Sequence, residues 1–242
     1  MTTPEILLAA RANPAARPKT LPEPPIDAPA AYAAQQAIQA KLGPIGGWKV
    51  GWSGTHFTCA PLPATHVMPS PATVTQSECP DRGVEAEIAV RIANDLPSRQ
   101  TPYTTEDILA AIASAHPAIE LLQSRYHDVN TVDPLSNLAD SLSHYGLVYG
   151  PPIPNWQSID LATETVAVIV DNQEIKRRTG NPAGEMLRLV LWMANQGATW
   201  AGGLKAGQFV TTGSWTGKDT VPENGHVKMA FDHCGTVEAT YA

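Results

Sequence analysis

No C-x-x-C pair occurs anywhere in this chain, and its three cysteines, Cys59, Cys79 and Cys234, lie far apart. An odd, scattered set excludes a disulfide framework and a zinc-ribbon site, and suits a reducing cytoplasm. Positive charge is also scarce. Sixteen Lys and Arg against 23 Asp and Glu leave a net charge of −7, so no basic stripe exists to displace counterions from phosphates, and nucleic acid is excluded as a partner. The one basic cluster, Lys176, Arg177 and Arg178, reads as the solvated edge of a strand. A run of about 18 apolar residues is missing too, which excludes a membrane-spanning helix. The apolar stretch at residues 6–10 is shorter than a secretory core segment.

What is present suits a soluble protein of 242 residues, 43% hydrophobic and 16% charged, enough chain to bury a substantial core. Residues 3–12 read as a short helix with Pro4 in its first turn. A proline-dense linker follows (Pro14, Pro18, Pro22, Pro24, Pro25, Pro29), then an Ala- and Gln-rich helix over 28–43 closed by Gly43-Pro44. Residues 46–52 read as a strand and 53–82 as irregular, with prolines at 61, 63, 69, 71 and 80. A strand at 84–92, a helix at 104–116 stopped by Pro117, and strands at 118–126 and 144–150 come next. Residues 165–178 predict a hairpin turning at Asp171-Asn172. Residues 181–197 predict a helix with Asn181 as N-cap and Pro182 at its first position. Strands at 207–215, 226–232 and 236–242 complete the chain. The expected fold class is α+β: a mixed, mostly antiparallel, folded β-sheet with flanking helices. Its expected division is 1–45, a short helical N-terminal segment and linker, and 46–242, a β-rich catalytic domain.

The stretch VEAEIAV (84–90) carries the chemistry. Alternation along a strand puts Glu85 and Glu87 on one face and Val84, Ala86, Ile88 and Val90 on the other. The carboxylates either face water, as in many half-buried strands, or share a cation that cancels their mutual repulsion. Glu120, again an acidic residue in an apolar strand, supplies the third oxygen ligand that an octahedral site completed by water and substrate would need.

Five stretches together resemble the fumarylacetoacetate hydrolase superfamily, in its 2-keto-4-pentenoate hydratase and 4-oxalocrotonate decarboxylase branch. They are AYAAQQAIQAKL (31–42), GGWKVGWS (46–53), VEAEIAVRIANDLP (84–97), PAIELLQSRY (117–126) with LADSLSHYGLVYG (138–150), and the run from GNPAGEM to GSWTG (180–217). The resemblance implies a divalent metal, Mg²⁺ or Mn²⁺, on Glu85, Glu87 and Glu120. It implies catalytic roles for Lys49, Asp140 and Ser143; Ser53, Trp52 and Trp215 are the expected substrate contacts, with core packing as the alternative for the two tryptophans. Three carboxylates and one divalent ion leave a charge of −1, which the Lys49 ammonium offsets when an anionic 2-oxo acid arrives.

Departures from the family pattern bear on the reaction. Gln123 stands where relatives carry Asp; on a regular strand it faces away from Glu120, so it reads as structural. Ser141, Leu142, His144 and Tyr145 replace Asn and smaller residues, and Trp52 and Trp215 are larger than usual. The hydrolase branch activates water with an H-x-x-E pair, and none exists here: all seven histidines are dispersed. The reading is therefore a hydro-lyase adding water to an unsaturated 2-oxo acid. The alternatives are a 2-oxo-3-hexenedioate decarboxylase, an acylpyruvate-type carbon–carbon hydrolase or tautomerase, and a catalytically weakened binding or partner subunit. The expected partners are a small 2-oxo acid and, as a homo-oligomer, further copies of the chain.

Overall fold

Two long antiparallel strands organise the molecule, and in the computed structural model, which describes residues 1–242, everything else is placed around them. In chain order the strands are β1 (Ile45–Trp52), β2 (Phe57–Pro63), β3 (Val67–Pro69), β4 (Ala72–Val74), β5 (Gly83–Ile92), β6 (Leu96–Pro97), β7 (Ile112–Leu122), β8 (His144–Tyr149), β9 (Thr165–Val170), β10 (Gln173–Thr179), β11 (Gly203–Leu204), β12 (Phe209–Thr211), β13 (Asp219–Thr220), β14 (His226–Phe231) and β15 (Gly235–Tyr241). The helices are α1 (Thr3–Ala12), α2 (Ala28–Leu42), α3 (Thr105–Ala111), α4 (Pro134–Ala139) and α5 (Met186–Trp192). The central pair is β5 and β7. The main sheet runs β2-β1-β12-β5-β7-β8-β3, with β13 also on β5, and a second sheet runs β10-β9-β14-β15-β4. Pairing is antiparallel except for β1 with β12, β3 with β8 and β15 with β4.

The inner faces of the two sheets share one apolar core. Val84, Ala86, Ile88 and Val90 of β5 meet Val166, Val168, Val227, Met229 and Val237 there, all fully buried. The N-terminal segment builds a smaller cluster of its own, in which Leu7, Leu21, Ala31, Ala34 and Ile38 pack on Tyr126, Leu138 and Ala139. No helix is long and apolar enough to cross a membrane.

Three local expectations are corrected. Residues 53–82 contain three strands despite their prolines. Both β2 and β3 lie at the edges of the main sheet, where a missing N–H breaks no ladder bond. The helix expected over 104–116 stops at Ala111, because Ile112 onward is drawn into the central pair, Ile92 opposite Ile112 and Glu85 opposite Glu120; sheet pairing overrides the helical preference of the Ala-rich run. The helix expected from Asn181 begins only at Met186. The Asn181 side chain instead accepts from the Ala183 N–H (2.9 Å) and donates to the Thr212 carbonyl (2.8 Å), turning 181–185 into a loop. The hairpin turn is as expected: Asp171 and Asn172 have φ of 48° and 67°, the left-handed pair of a two-residue turn.

Candidate metal and active site

β5 presents Glu85 and Glu87 on the face opposite the core, and the register of β7 sets Glu120 directly across from Glu85. One oxygen from each of the three carboxylates falls within 4.8 Å of the others. Glu87 is held by the strand end that follows β12: the Thr212 and Gly213 N–H groups each donate to its Oε2 at 3.0 Å. Gly213 has φ of +90°, and a Cβ there would stand 2.7 Å from the Ala183 side chain, so the close approach of this backbone to Glu87 requires glycine.

Lys49, on β1, is 9% exposed, and its ammonium lies 2.6 Å from Glu120 Oε1. The same Glu120 oxygen faces His144 Nδ1 at 2.9 Å. Burial works against ionisation of Glu120, yet Lys49 and the His144 hydrogen bond hold its pKa down at about 2. Burial pushes His144 down to about 4, so its imidazole is neutral and Nδ1–H is the donor to the carboxylate. The other two glutamates move the opposite way. Burial and then the Glu120 charge raise Glu85 to about 6, and burial with both neighbouring glutamates lifts Glu87 well above the usual carboxylate range. Lys49 stays protonated because Glu120 and Glu85 outweigh its burial.

This arrangement is short of positive charge. Three carboxylates face one ammonium, and Glu120 Oε2 is buried with no hydrogen-bond partner. An all-oxygen donor set with an orphaned, inward oxygen is what a hard divalent ion requires, so the residues fit Mg²⁺ or Mn²⁺. The three carboxylates line a cavity of about 270 Å³ whose walls include Lys49, Trp52, Leu142 and Ala183. A larger hollow of about 560 Å³, between Trp156 and Met186, contains no convergent carboxylates; the acidic cluster lines the smaller one.

The remaining residues expected at the site divide. Trp52 lines the cavity, with its ring against Phe57 at 4.5 Å. Trp215 does not: it is 1% exposed in the apolar core, edge-on to Phe231. Ser53 is in the exposed turn after β1, and its hydroxyl accepts from the His56 N–H. Asp140 is buried against Arg125 as an ion pair, and Ser143 donates to Asn137 Oδ1 at 3.4 Å; neither lines the cavity. Gln123 is structural as expected, accepting from the Asp81 N–H at 2.8 Å.

The segment between Asp140 and His144 was not foreseen. Ser141, Leu142 and Ser143 have φ of 54°, 55° and 61°, three consecutive non-glycine residues in the left-handed region, each costing roughly 1–3 kcal/mol. The turn brings the Leu142 carbonyl to 3.5 Å from the Lys49 ammonium. Arg125 staples it from both ends, through the side chain and carbonyl of Asp140 before the turn and the His144 carbonyl after it.

No protein-family model matches the chain. The chain is 30% identical to the 2-keto-4-pentenoate hydratase of Burkholderia vietnamiensis over 159 residues, which are 65% of this chain and 60% of that protein; it thus spans about three-fifths of the curated relative. The structure matches a 4-oxalocrotonate decarboxylase from Pseudomonas putida, solved with magnesium and adipate, at a TM-score of 0.80 and 22% identity, over 100% of this chain and 99% of the other. It also matches a fumarylacetoacetate hydrolase family protein of Yersinia pestis at a TM-score of 0.60 and 16% identity, over 82% of this chain and 93% of that one. This is the fumarylacetoacetate hydrolase fold. In this fold the glutamate triad of the present chain lies on the central strand pair of the main sheet, facing away from the core.

Proposed function

We propose that the chain is a metal-dependent lyase that adds water to a small, unsaturated 2-oxo acid. The observation that carries this reading is the convergence of Glu85, Glu87 and Glu120 beside the Lys49 ammonium in one cavity. Glu85, Glu87 and Glu120 would hold the ion. When bound, a divalent ion supplies a Lewis acid for the carboxylate and 2-oxo oxygens of the substrate. The residues of the chain do the rest. Lys49, 9% exposed, holds a proton-bearing cation where negative charge develops on the substrate's oxygens. Glu120, anchored by Lys49 and His144, keeps one geometry while charge shifts, and the Thr212 and Gly213 amides do the same for Glu87. The cavity lining begins at Lys49 and ends at Ser214, and we assign the chemistry to residues 46–242, with 1–45 bracing the Arg125 region.

A second reaction on the same electron sink, loss of carbon dioxide from a 2-oxo-3-hexenedioate, is favoured by the full-length match to the decarboxylase. Cleavage of acylpyruvates is disfavoured by the histidines: His56 and His66 lie outside the cavity lining, and the His66 ring packs at a tilt on Tyr145, centroids 4.8 Å apart. The test follows the absorbance of 2-hydroxypenta-2,4-dienoate, and carbon dioxide release from 2-oxo-3-hexenedioate, with Mg²⁺ or Mn²⁺ and with a chelator. Metal-dependent consumption of either acid supports the lyase. Metal-dependent cleavage of acylpyruvates with neither of those activities overturns it.

A further inference from the structure

Arg188 stands at the rim of the catalytic cavity with its charge uncommitted. It projects from α5, is exposed, and has no ion-pair partner in the chain. Its guanidinium nonetheless has a defined position. It lies 4.6 Å over the Trp52 ring and 5.2 Å from that of Phe57, and one of its nitrogens donates to the Ala183 carbonyl at 3.0 Å. Both Trp52 and Ala183 line the cavity. The aromatic surface beneath is itself fixed, since Trp52 packs on Phe57 and Phe57 stacks on Trp192, one turn along α5 from Arg188. A guanidinium laid on an indole and tied through one nitrogen keeps its remaining N–H groups oriented for a carboxylate.

The order of residues along the cavity sets the kind of ligand. Lys49 marks the end of the cavity that receives the carboxylate and 2-oxo group, and Trp52, at the far end of the same strand, lines the cavity beneath Arg188. A substrate that fills the cavity from Lys49 to Trp52 brings its far end toward the guanidinium over that ring. We propose that Arg188 is a specificity-determining residue that reads a second, distal carboxylate, so that the cavity takes 2-oxo diacids ahead of monoacids of the same length. This inference rests on the 2-oxo acid reading above and sharpens it.

The test measures binding rather than turnover, with the metal-loaded full chain and two saturated, unreactive acids, 2-oxoadipate and 2-oxohexanoate, which differ only at the far terminus. Calorimetric titration of the unmodified protein should give at least tenfold tighter binding of 2-oxoadipate. Arg188→Gln should erase that gap and leave 2-oxohexanoate unchanged, while Arg188→Lys, a point charge without the fork, keeps part of it. Lys218→Gln, at a cation whose charge reaches Glu85, should leave the preference intact. Equal affinity for both acids, or a preference that survives Arg188→Gln, overturns the role of Arg188 while the 2-oxo acid reading stands. Failure of both acids to bind in the presence of Mg²⁺ or Mn²⁺ overturns both.

Discussion

Glu85 and Glu120 stand directly opposite each other on neighbouring strands, like charges in the position where cross-strand repulsion is strongest. A fold keeps such a pair when something between them is positive, and of the two carboxylates Lys49 pairs with Glu120 alone. Added Mg²⁺ or Mn²⁺ should therefore stabilise the protein. At a hundredfold excess over Kd the gain is about 2.7 kcal/mol, which raises the Tm of a chain this long by roughly 5–10 °C. Differential scanning calorimetry with metal and with chelator measures it. Glu87→Gln should abolish the shift, and an unchanged Tm in the unmodified protein would remove the metal from the reading.

Lys49→Met should lower turnover by roughly 10²-fold or more, as loss of a positioned electrostatic donor does. The stability of the same variant separates chemistry from structure. Without metal the Glu120 carboxylate, 0% exposed, loses its cation and the variant should unfold at a markedly lower temperature. With metal bound, most of that difference should vanish while turnover stays low. Turnover close to normal would make Lys49 a structural residue.

His144 is expected to act through Glu120 rather than on substrate. Its Nδ1–H fixes one carboxylate oxygen, and losing such a partner typically weakens metal affinity about 10–100-fold. His144→Leu should show that loss in a direct titration with Mn²⁺. His144→Asn, which keeps an N–H donor, should recover part of it. Equal affinity in all three proteins would confine His144 to packing.

The candidate site was partly legible in the sequence, and the split has a physical basis. Glu85 and Glu87 could be paired from strand alternation alone, Glu120 stood out as another acidic residue in an apolar strand, and Lys49 came from the family resemblance. His144 could not be found that way. A register shift between Leu121 and Leu122 sets Leu122 opposite His144, and that irregularity brings the imidazole to Glu120; no local pattern announces it. The Thr212 and Gly213 amides escape sequence reasoning because backbone donors have no residue signature. The Asn181-Pro182 pair misled in the fold for a related reason, since an Asn side chain closes a local turn as readily as it caps a helix.

The cysteines give a chemical check on the packing. Burial pushes Cys59 and Cys234 up to about 12 and Cys79 to about 11, and all three are free and buried. The thiolate is the reactive form, so at pH 8 a disulfide reagent should label none of them rapidly in the folded protein and all three after denaturation. Rapid labelling of Cys59 in the native state would contradict its placement, with its thiol directed to the Gly197 carbonyl.

Asp140 and Ser143, expected to be catalytic, should prove to be parts of the staple and the strained turn. Asp140→Asn leaves the Arg125 guanidinium, 3% exposed, without its counter-charge, at a cost of roughly 3–5 kcal/mol, or a fall in Tm of roughly 10 °C or more. Removing both members, as in Arg125→Met with Asp140→Leu, should recover much of that loss, because no buried charge is then left unpaired. Ser143→Gly tests the turn itself. At φ of 61° glycine adopts the backbone without penalty, so the variant should gain about 1 kcal/mol and keep its turnover. A catalytic hydroxyl predicts the opposite pattern, an unchanged Tm with turnover lost. Thermal unfolding and steady-state rates on the same preparations decide between the two, because the staple moves stability first and the chemistry only through the position of Leu142 beside Lys49.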